Sequence, residues 1–384
     1  MAPFAEFSWH PVWATVELAA AGTIEVPTTP RPRVIAGTMA APNRRVNIRG
    51  CFIAPPSDCL RSAVWPGVAL HPRRRKPDQR LVKIGASTDT PAGPISQGLY
   101  TCRMPPIRLG LDVSQHQLTW EELLERVRFG EQAGFEGAWV FDHFTPLYGD
   151  RKGPCLEGWT LLAGLAAATS RIRLGALVTG VTYRHPSVLA AEAITVDHVS
   201  GGRLEIGMGA AWHQAEHAEL GIPFPPVRER AERLEEAVQV MRTLMTRDGA
   251  SFKGRHYHLD RATYRPRPVQ KPHPPIWIGA SGEQLMLPIV GRQADAWHAF
   301  GSADSLERKS RVVDEAARQA GRDPASIVRS TSLSLSQPWD RVRRQVDALE
   351  RAGFSYLVVS WPSEGRGRLE EFVEKVKPEI AARV

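Results

Sequence analysis

Residues 133–143 read Ala133-Gly134-Phe135-Glu136-Gly137-Ala138-Trp139-Val140-Phe141-Asp142-His143. A helix ending at Gly134 gives way to the short apolar run Gly137–Phe141, which predicts a buried strand. An acid and an imidazole follow at its carboxyl end, where parallel α/β folds place their chemistry. Imidazole exchanges protons near neutrality, so Asp142-His143 reads as a proton-transfer pair. The competing reading is a helix-capping Asp beside a histidine packed in the core.

Outward from this unit the same alternation repeats. Strands are expected at Arg108–Val113, Gly137–Phe141, Ile172–Val178 and Leu204–Met208, then at Ile276–Ile278, Ala296–Ala299, Ile327–Leu333 and Tyr356–Ser360. Helical stretches lie between them: Trp120–Ala133, Leu156–Thr169, Ser187–Ser200, Arg228–Arg247, Glu283–Arg292, Ser305–Ala320, Asp340–Ala352 and Leu369–Ile380. Gly134, Gly321 and Gly353 suit helix ends, and Thr119 or Ser305 suits an N-cap. Eight βα units in this span predict an α/β fold of the (β/α)8 TIM-barrel type. An open doubly wound sheet is the alternative. It would call for a Gly-rich dinucleotide loop after the first strand, where the chain instead reads Asp112-Val113-Ser114-Gln115-His116. Two excursions interrupt the alternation, Gly209–Pro226 and Gly249–Pro275, the second with a hairpin around Phe252–Tyr257. Long loops on a barrel serve its active face.

The barrel domain is expected over 104–384, opening at Met104-Pro105-Pro106. The net charge of +8 belongs mainly to residues 1–103, which hold 13 Lys/Arg against 6 Asp/Glu, 13 of the 31 prolines, and Cys51, Cys59 and Cys102. That composition, with no sustained period, predicts a Pro/Arg-rich extension that is disordered or lies outside the native protein. Arg73-Arg74-Arg75-Lys76 is read as a solvated basic run rather than a nucleic-acid patch, for no stacking platform accompanies it. Acidic residues precede the first Arg, which excludes a secretory leader, and no apolar stretch is long enough to cross a bilayer. The cysteines lack metal-type spacing, so no metal is expected, and Cys155 reads as a free thiol in a cytoplasmic protein.

In a barrel, residues distant in sequence meet at the carboxyl rim. Gly207-Met208-Gly209-Ala210-Ala211-Trp212 presents little bulk before its Trp, which lets a flat ligand approach the backbone; the competing reading is a tight turn. Leu177-Val178-Thr179-Gly180-Val181-Thr182-Tyr183 is an uncharged ledge suited to one face of a ring system, or else buried core. Gly279-Ala280-Ser281-Gly282 enters a helix at Glu283, so its amides form a phosphate site without needing a cation.

Together, Val140-Phe141-Asp142-His143-Phe144, Leu174–Thr179 with Tyr183-Arg184-His185-Pro186, Ser200–Gly209 with its Gly201-Gly202-Arg203, and Pro274-Pro275-Ile276-Trp277-Ile278-Gly279 with Gly291–Asp295 resemble the luciferase-like monooxygenases. More narrowly they resemble the branch that uses the deazaflavin coenzyme F420. The resemblance spans residues 106–384. It implies a ring lying at the rim beside Asp142 and His143, a non-prolyl cis peptide at Leu177-Val178, a phosphate loop at Gly279–Gly282, and an acid near the cofactor at Glu216. Ala211 departs from it, standing where relatives carry Gly.

The expected activity is hydride transfer between coenzyme F420 and a small organic substrate. His143 is the acid/base and Asp142 either orients it or hydrogen-bonds the cofactor, with His213 and Glu216 as further proton-transfer candidates. Cofactor contacts are expected from Asp142, His143, Leu177, Val178, Thr179, Gly209, Ala210, Ala211, Glu216, Gly279, Ala280, Ser281 and Gly282. The alternatives are a monooxygenase fed reduced FMN by a flavin reductase, or a cofactor-binding protein without catalysis. A homodimer is implied, with a small-molecule substrate and a flavin or deazaflavin reductase as partners and no nucleic-acid or membrane partner.

Overall fold

The structure, a computed structural model, describes residues 106–382, so the extension expected over 1–103 lies outside the described residues. The first half of the fold runs β1 (Arg108–Asp112), α1 (Trp120–Gln132), β2 (Gly137–Val140), α2 (Gly158–Ala168), β3 (Arg173–Ala176), β4 (Thr179–Gly180), α3 (Pro186–Ser200), β5 (Leu204–Gly209), α4 (Gln214–Leu220) and α5 (Val227–Thr246). The second half runs β6 (Ala250–Lys253), β7 (His258–Ala262), β8 (Ile276–Gly279), α6 (Met286–Gln293), β9 (Ala296–His298), α7 (Ala303–Gln319), β10 (Val328–Leu333), α8 (Trp339–Arg351), β11 (Tyr356–Ser360), α9 (Arg366–Lys375) and α10 (Lys377–Ala381).

Eight parallel strands close in the order β1-β2-β3-β5-β8-β9-β10-β11, with β11 returning to β1 and β3 paired to β5 through Leu174 opposite Leu204. The short β4 lies beside the end of β5, and β6 and β7 form the separate antiparallel hairpin. Each expected strand is present. The fold is therefore a TIM barrel.

One apolar layer lies between strands and helices: Leu111 on β1, for example, is buried together with Leu123 and Val127 of α1. Thr119 starts that helix through a capping box with Glu122. The second layer fills the barrel's interior with Trp139, Trp277, Tyr356 and Val358, the two indoles 4.6 Å apart. Such rings need neighbours without side chains. A Cβ on Gly175 would stand 2.5 Å from the Trp139 ring, and one on Gly110 2.7 Å from its Nε1. The two indole nitrogens of this layer are satisfied, for Trp139 Nε1 donates to Tyr356 Oη at 3.2 Å and Trp277 Nε1 to Glu205 at 2.6 Å. A packed interior confines chemistry to the rim.

Several element boundaries differ from the sequence reading, three of them for a clear local reason, and the excursion Gly209–Pro226 contains the short helix α4. The helix expected from Glu283 begins at Met286, because the Gly282 carbonyl accepts from the amides of both Met286 and Leu287 and leaves a turn before it. Ser302, not Ser305, caps α7. The last helix divides at Val376, where Pro378, lacking an amide hydrogen, is tolerated only in a new first turn. Among the described residues no helix is long and apolar enough to cross a membrane.

Candidate active site

The carboxyl end of β2 is fixed from behind by Gln115. Its fully buried amide accepts from Phe141 N at 3.2 Å and donates to Phe141 O at 2.6 Å and Leu156 O at 3.0 Å. That clamp holds the backbone from which Asp142 and His143 depart.

Asp142 and His143 then take different partners. Asp142 receives a two-pronged hydrogen bond from Arg184, at 2.6 and 3.1 Å, and does not touch the imidazole as an orienting group. Burial pushes its carboxyl up, and the Arg184 bonds pull against that shift. Arg184 also contacts Glu157 and Glu192, so one guanidinium sits among three carboxylates.

Glu216, on α4, orients His143 instead. Its Oε2 lies 2.8 Å from His143 Nδ1 and accepts from Tyr183 Oη at 2.5 Å. Its Oε1 accepts from Phe144 N at 2.9 Å, Thr145 N at 3.1 Å and Thr145 Oγ1 at 3.2 Å. Burial alone would raise this carboxyl, but the bonds from His143 and Tyr183 prevail and hold it down to about 2. An ionised carboxylate accepts only, so the His143 proton facing it sits on Nδ1. Nε2 has no partner among the described residues and is not a sealed buried atom, so it faces the rim. Glu216 itself is wholly buried and cannot meet substrate directly.

Other expected residues collect on the same rim. His213 stands 5.8 Å ring to ring from His143, and its Nδ1 is buried without a hydrogen-bond partner. Burial lowers its pKa against the pull of Glu216. His143, His213 and Glu216 lie close enough to bracket a cation, but the five donors already on Glu216 leave it no capacity for one.

The Leu177-Val178 peptide is cis. Val178 fills the space beyond two strand ends: a Cβ on Gly209 would lie 2.6 Å from it and one on Gly279 2.9 Å. Those ends therefore form a floor of backbone and two methyl groups, continued by half-buried Ala210 and Ala211. Thr179 Oγ1 accepts from Trp159 Nε1 at 2.9 Å. Ala280 N donates to His298 O, whereas among the described residues nothing accepts from the amides of exposed Ser281 and Gly282. His298, another rim histidine, is held by Ser330 at 2.9 Å and pushed by burial down to about 3; it stays neutral within the wall.

Sequence reasoning assigned no role to Gln115 or Arg184 and read Tyr183 only as the end of the uncharged ledge. Tyr183 and Arg184 stand inside a quoted motif, and only the three-dimensional neighbours reveal their tasks.

A model described as Luciferase-like monooxygenase matches residues 104–336. An F420-dependent glucose-6-phosphate dehydrogenase of Nakamurella multipartita is 32% identical over 248 residues, 63% of this chain and 71% of that protein. An F420-dependent secondary alcohol dehydrogenase, solved with an F420-acetone adduct, superposes with a TM-score of 0.64 at 19% identity over 71% of this chain and 99% of its own. A monooxygenase from Streptomyces bottropensis superposes with a TM-score of 0.58 at 19% identity over 72% and 100%. At such identities the two solved structures speak for the fold alone.

Proposed function

The chain belongs to the luciferase-like monooxygenase family, and from that membership we propose that it is a coenzyme F420-dependent oxidoreductase acting on a small organic substrate, with His143 exchanging the substrate's proton. The observation that carries the reading is the Glu216 clamp on Nδ1, which leaves Nε2 as the imidazole's one working atom.

The rim fits a flat, phosphate-bearing cofactor in two respects. The floor at Val178, Gly209 and Gly279 is free of projecting side chains from the strand ends. The amides of exposed Ser281 and Gly282, with no acceptor among the described residues, offer an anion site in the turn that precedes α6. A deazaflavin, when bound, supplies a ring carbon that exchanges hydride and leaves one proton for the protein to manage. His143 holds or accepts that proton at Nε2, Glu216 keeps the tautomer, and Tyr183 and the amides of Phe144 and Thr145 keep Glu216 ionised and still. Asp142 and Arg184 fix the strand end from which the imidazole reaches the rim.

The test is a paired titration with coenzyme F420 and FMN, each oxidised and reduced, following ring fluorescence. Binding of the deazaflavin at low micromolar concentration or tighter is expected. Tight binding of FMN alone, with oxygen consumed as reduced FMN is oxidised, overturns the reading in favour of a monooxygenase fed by a reductase.

A further inference from the structure

We infer that His116, in the loop after β1, is a substrate-binding residue whose Nε2–H donates a hydrogen bond to the substrate. The site then selects a molecule that carries a second oxygen acceptor beside the group that meets His143. The inference rests on the reading of His143 given above and extends it to substrate class.

The tautomer of His116 is fixed by the backbone. Leu147 N lies 3.0 Å from His116 Nδ1. An amide nitrogen only donates, so Nδ1 offers its lone pair and the ring proton sits on Nε2. A second proton on the ring would set two N–H groups against each other at Nδ1. Burial and the neighbouring His143 act in the same direction and push the imidazole down to about 4, so it is neutral at pH 7. Among the described residues Nε2 has no partner, and it is not sealed from solvent. A half-buried N–H with its proton settled and nothing to receive it is a donor held ready for a ligand.

The two imidazoles are thus opposite in kind. Glu216 keeps the proton of His143 on Nδ1 and leaves its Nε2 to accept. Leu147 takes the lone pair of His116 and leaves its Nε2 to donate. Each packs on Phe141: His116 stacks on that ring at 3.9 Å and His143 stands 5.4 Å from it. A ligand lying along Phe141 reaches both nitrogens with separate atoms. Gln115, next to His116, ties the same loop to the backbone of Phe141, so the donor is positioned before anything binds.

Barrel order assigns this donor to the substrate. The flat floor is made by Val178, Gly209 and Gly279, at the ends of β3, β5 and β8. β1 pairs with β2 on the side away from β3, so His116 enters from beyond His143 as seen from that floor.

The test uses the full chain. Nitrogen NMR of isotope-labelled histidines, with His116→Gln identifying the signal, should show the Nε2–H tautomer of His116 at pH 7. A proton on Nδ1, or a doubly protonated ring, overturns the proposal. Calorimetric titrations of the protein loaded with coenzyme F420 then compare ligands in which an ether oxygen replaces a methylene: 2-pentanol with 1-methoxy-2-propanol, and cyclohexanol with tetrahydropyran-3-ol. In at least one pair, His116→Phe should shift the affinity ratio about 3- to 10-fold against the ether, the scale of one neutral hydrogen bond. His116→Gln, which can accept from Leu147 and still donate, should keep the ratio within a factor of about two. The affinity of the ether-free alcohol should not change, which separates a lost donor from a collapsed loop. Ratios that do not move, or binding by none of the four ligands, overturn the proposal. Fluorescence of the deazaflavin is read before any alcohol is added. A loss of cofactor affinity of about tenfold or more in His116→Phe gives the nitrogen to the cofactor and also overturns it. Should the wild-type chain fail to bind coenzyme F420, the earlier reading falls, and the tautomer and the ratios, measured on the cofactor-free protein, still decide this one.

Discussion

His143 works through one nitrogen only while Glu216 occupies the other, and that division can be tested by substitution. His143→Ala removes the proton-exchanging atom but no part of the Val178–Gly209–Gly279 floor. Turnover should fall about 10²- to 10⁴-fold, the usual worth of a positioned acid or base, while cofactor affinity changes only a few-fold. Stopped-flow absorbance and fluorescence titration measure the two separately, and equal turnover would remove His143 from the mechanism. Glu216→Gln tests the clamp: five donors converge on the carboxylate, and an amide nitrogen must face some of them. A loss of about 1–3 kcal/mol in stability is expected together with a lower kcat, because a buried donor is left unmatched. Ala211 poses a different test. A left-handed backbone costs a residue with a Cβ about 1–2 kcal/mol. Glycine relieves that cost but returns about 0.4–1 kcal/mol to the unfolded chain. Ala211→Gly should therefore shift the urea midpoint slightly upward, and a clear loss of stability would contradict the strain. The sequence marked Asp142, His143 and Glu216 as residues, but their pairing was not legible. Adjacency in the chain suggested that Asp142 orients His143, yet successive side chains at a strand end diverge, and an acid 73 positions away takes that place.

At the scale of elements, the Ser200-Gly201-Gly202-Arg203 motif is structural. Gly201 ends α3 in a left-handed cap. Arg203 then reaches back to the end of α2, donating to the carbonyls of Ala166 at 2.8 Å, Thr169 at 3.0 Å and Ile172 at 2.7 Å and to Thr169 Oγ1 at 3.0 Å. α2 has no basic residue in its last turn and no left-handed cap, so these carbonyls depend on the incoming guanidinium. Arg203→Ala should cost roughly 2–3 kcal/mol, as a charged donor serving several acceptors does, and should speed amide exchange at the end of α2. Activity per folded molecule should not change. Arg203→Lys should recover little, because an ammonium cannot span acceptors placed for a planar fork. The eight strands and the helices between them were legible from period and punctuation. The start of α6 was not, because the double acceptance by the Gly282 carbonyl is a matter of geometry rather than composition. The division of the last helix had a visible sign in Pro378, yet the apolar spacing of Leu369, Phe372, Val376 and Ile380 runs across it.

For the whole molecule, eight βα units predicted closure, and in the closed barrel the neighbouring strands β9 and β10 set His298 opposite Ser330 at the edge of a packed interior. Burial there has a consequence for acid stability. His298 is pushed from its ordinary 6.5 down to about 3, so the folded protein keeps it neutral where the unfolded chain takes up a proton. Unfolding therefore absorbs a proton in that interval, and stability falls as pH drops below about 6.5 until the folded state also protonates near pH 3. His116, pushed down to about 4, adds to the same trend over the narrower interval from 6.5 to 4. Asp142 and Glu205, raised by burial, pull the other way in the carboxylate range, so the total slope does not isolate either histidine. A difference does. His298→Gln keeps groups able to bond the Ser330 and Ser332 hydroxyls but removes the titration. Between pH 5.5 and 4 the wild type should lose stability relative to this variant by about 1.4 kcal/mol per pH unit, the slope for one proton. Urea midpoints collected across that range give the slope directly. Parallel profiles would mean that His298 already carries its proton in the folded barrel, and that the interior admits a charge which its lack of any acidic partner should forbid.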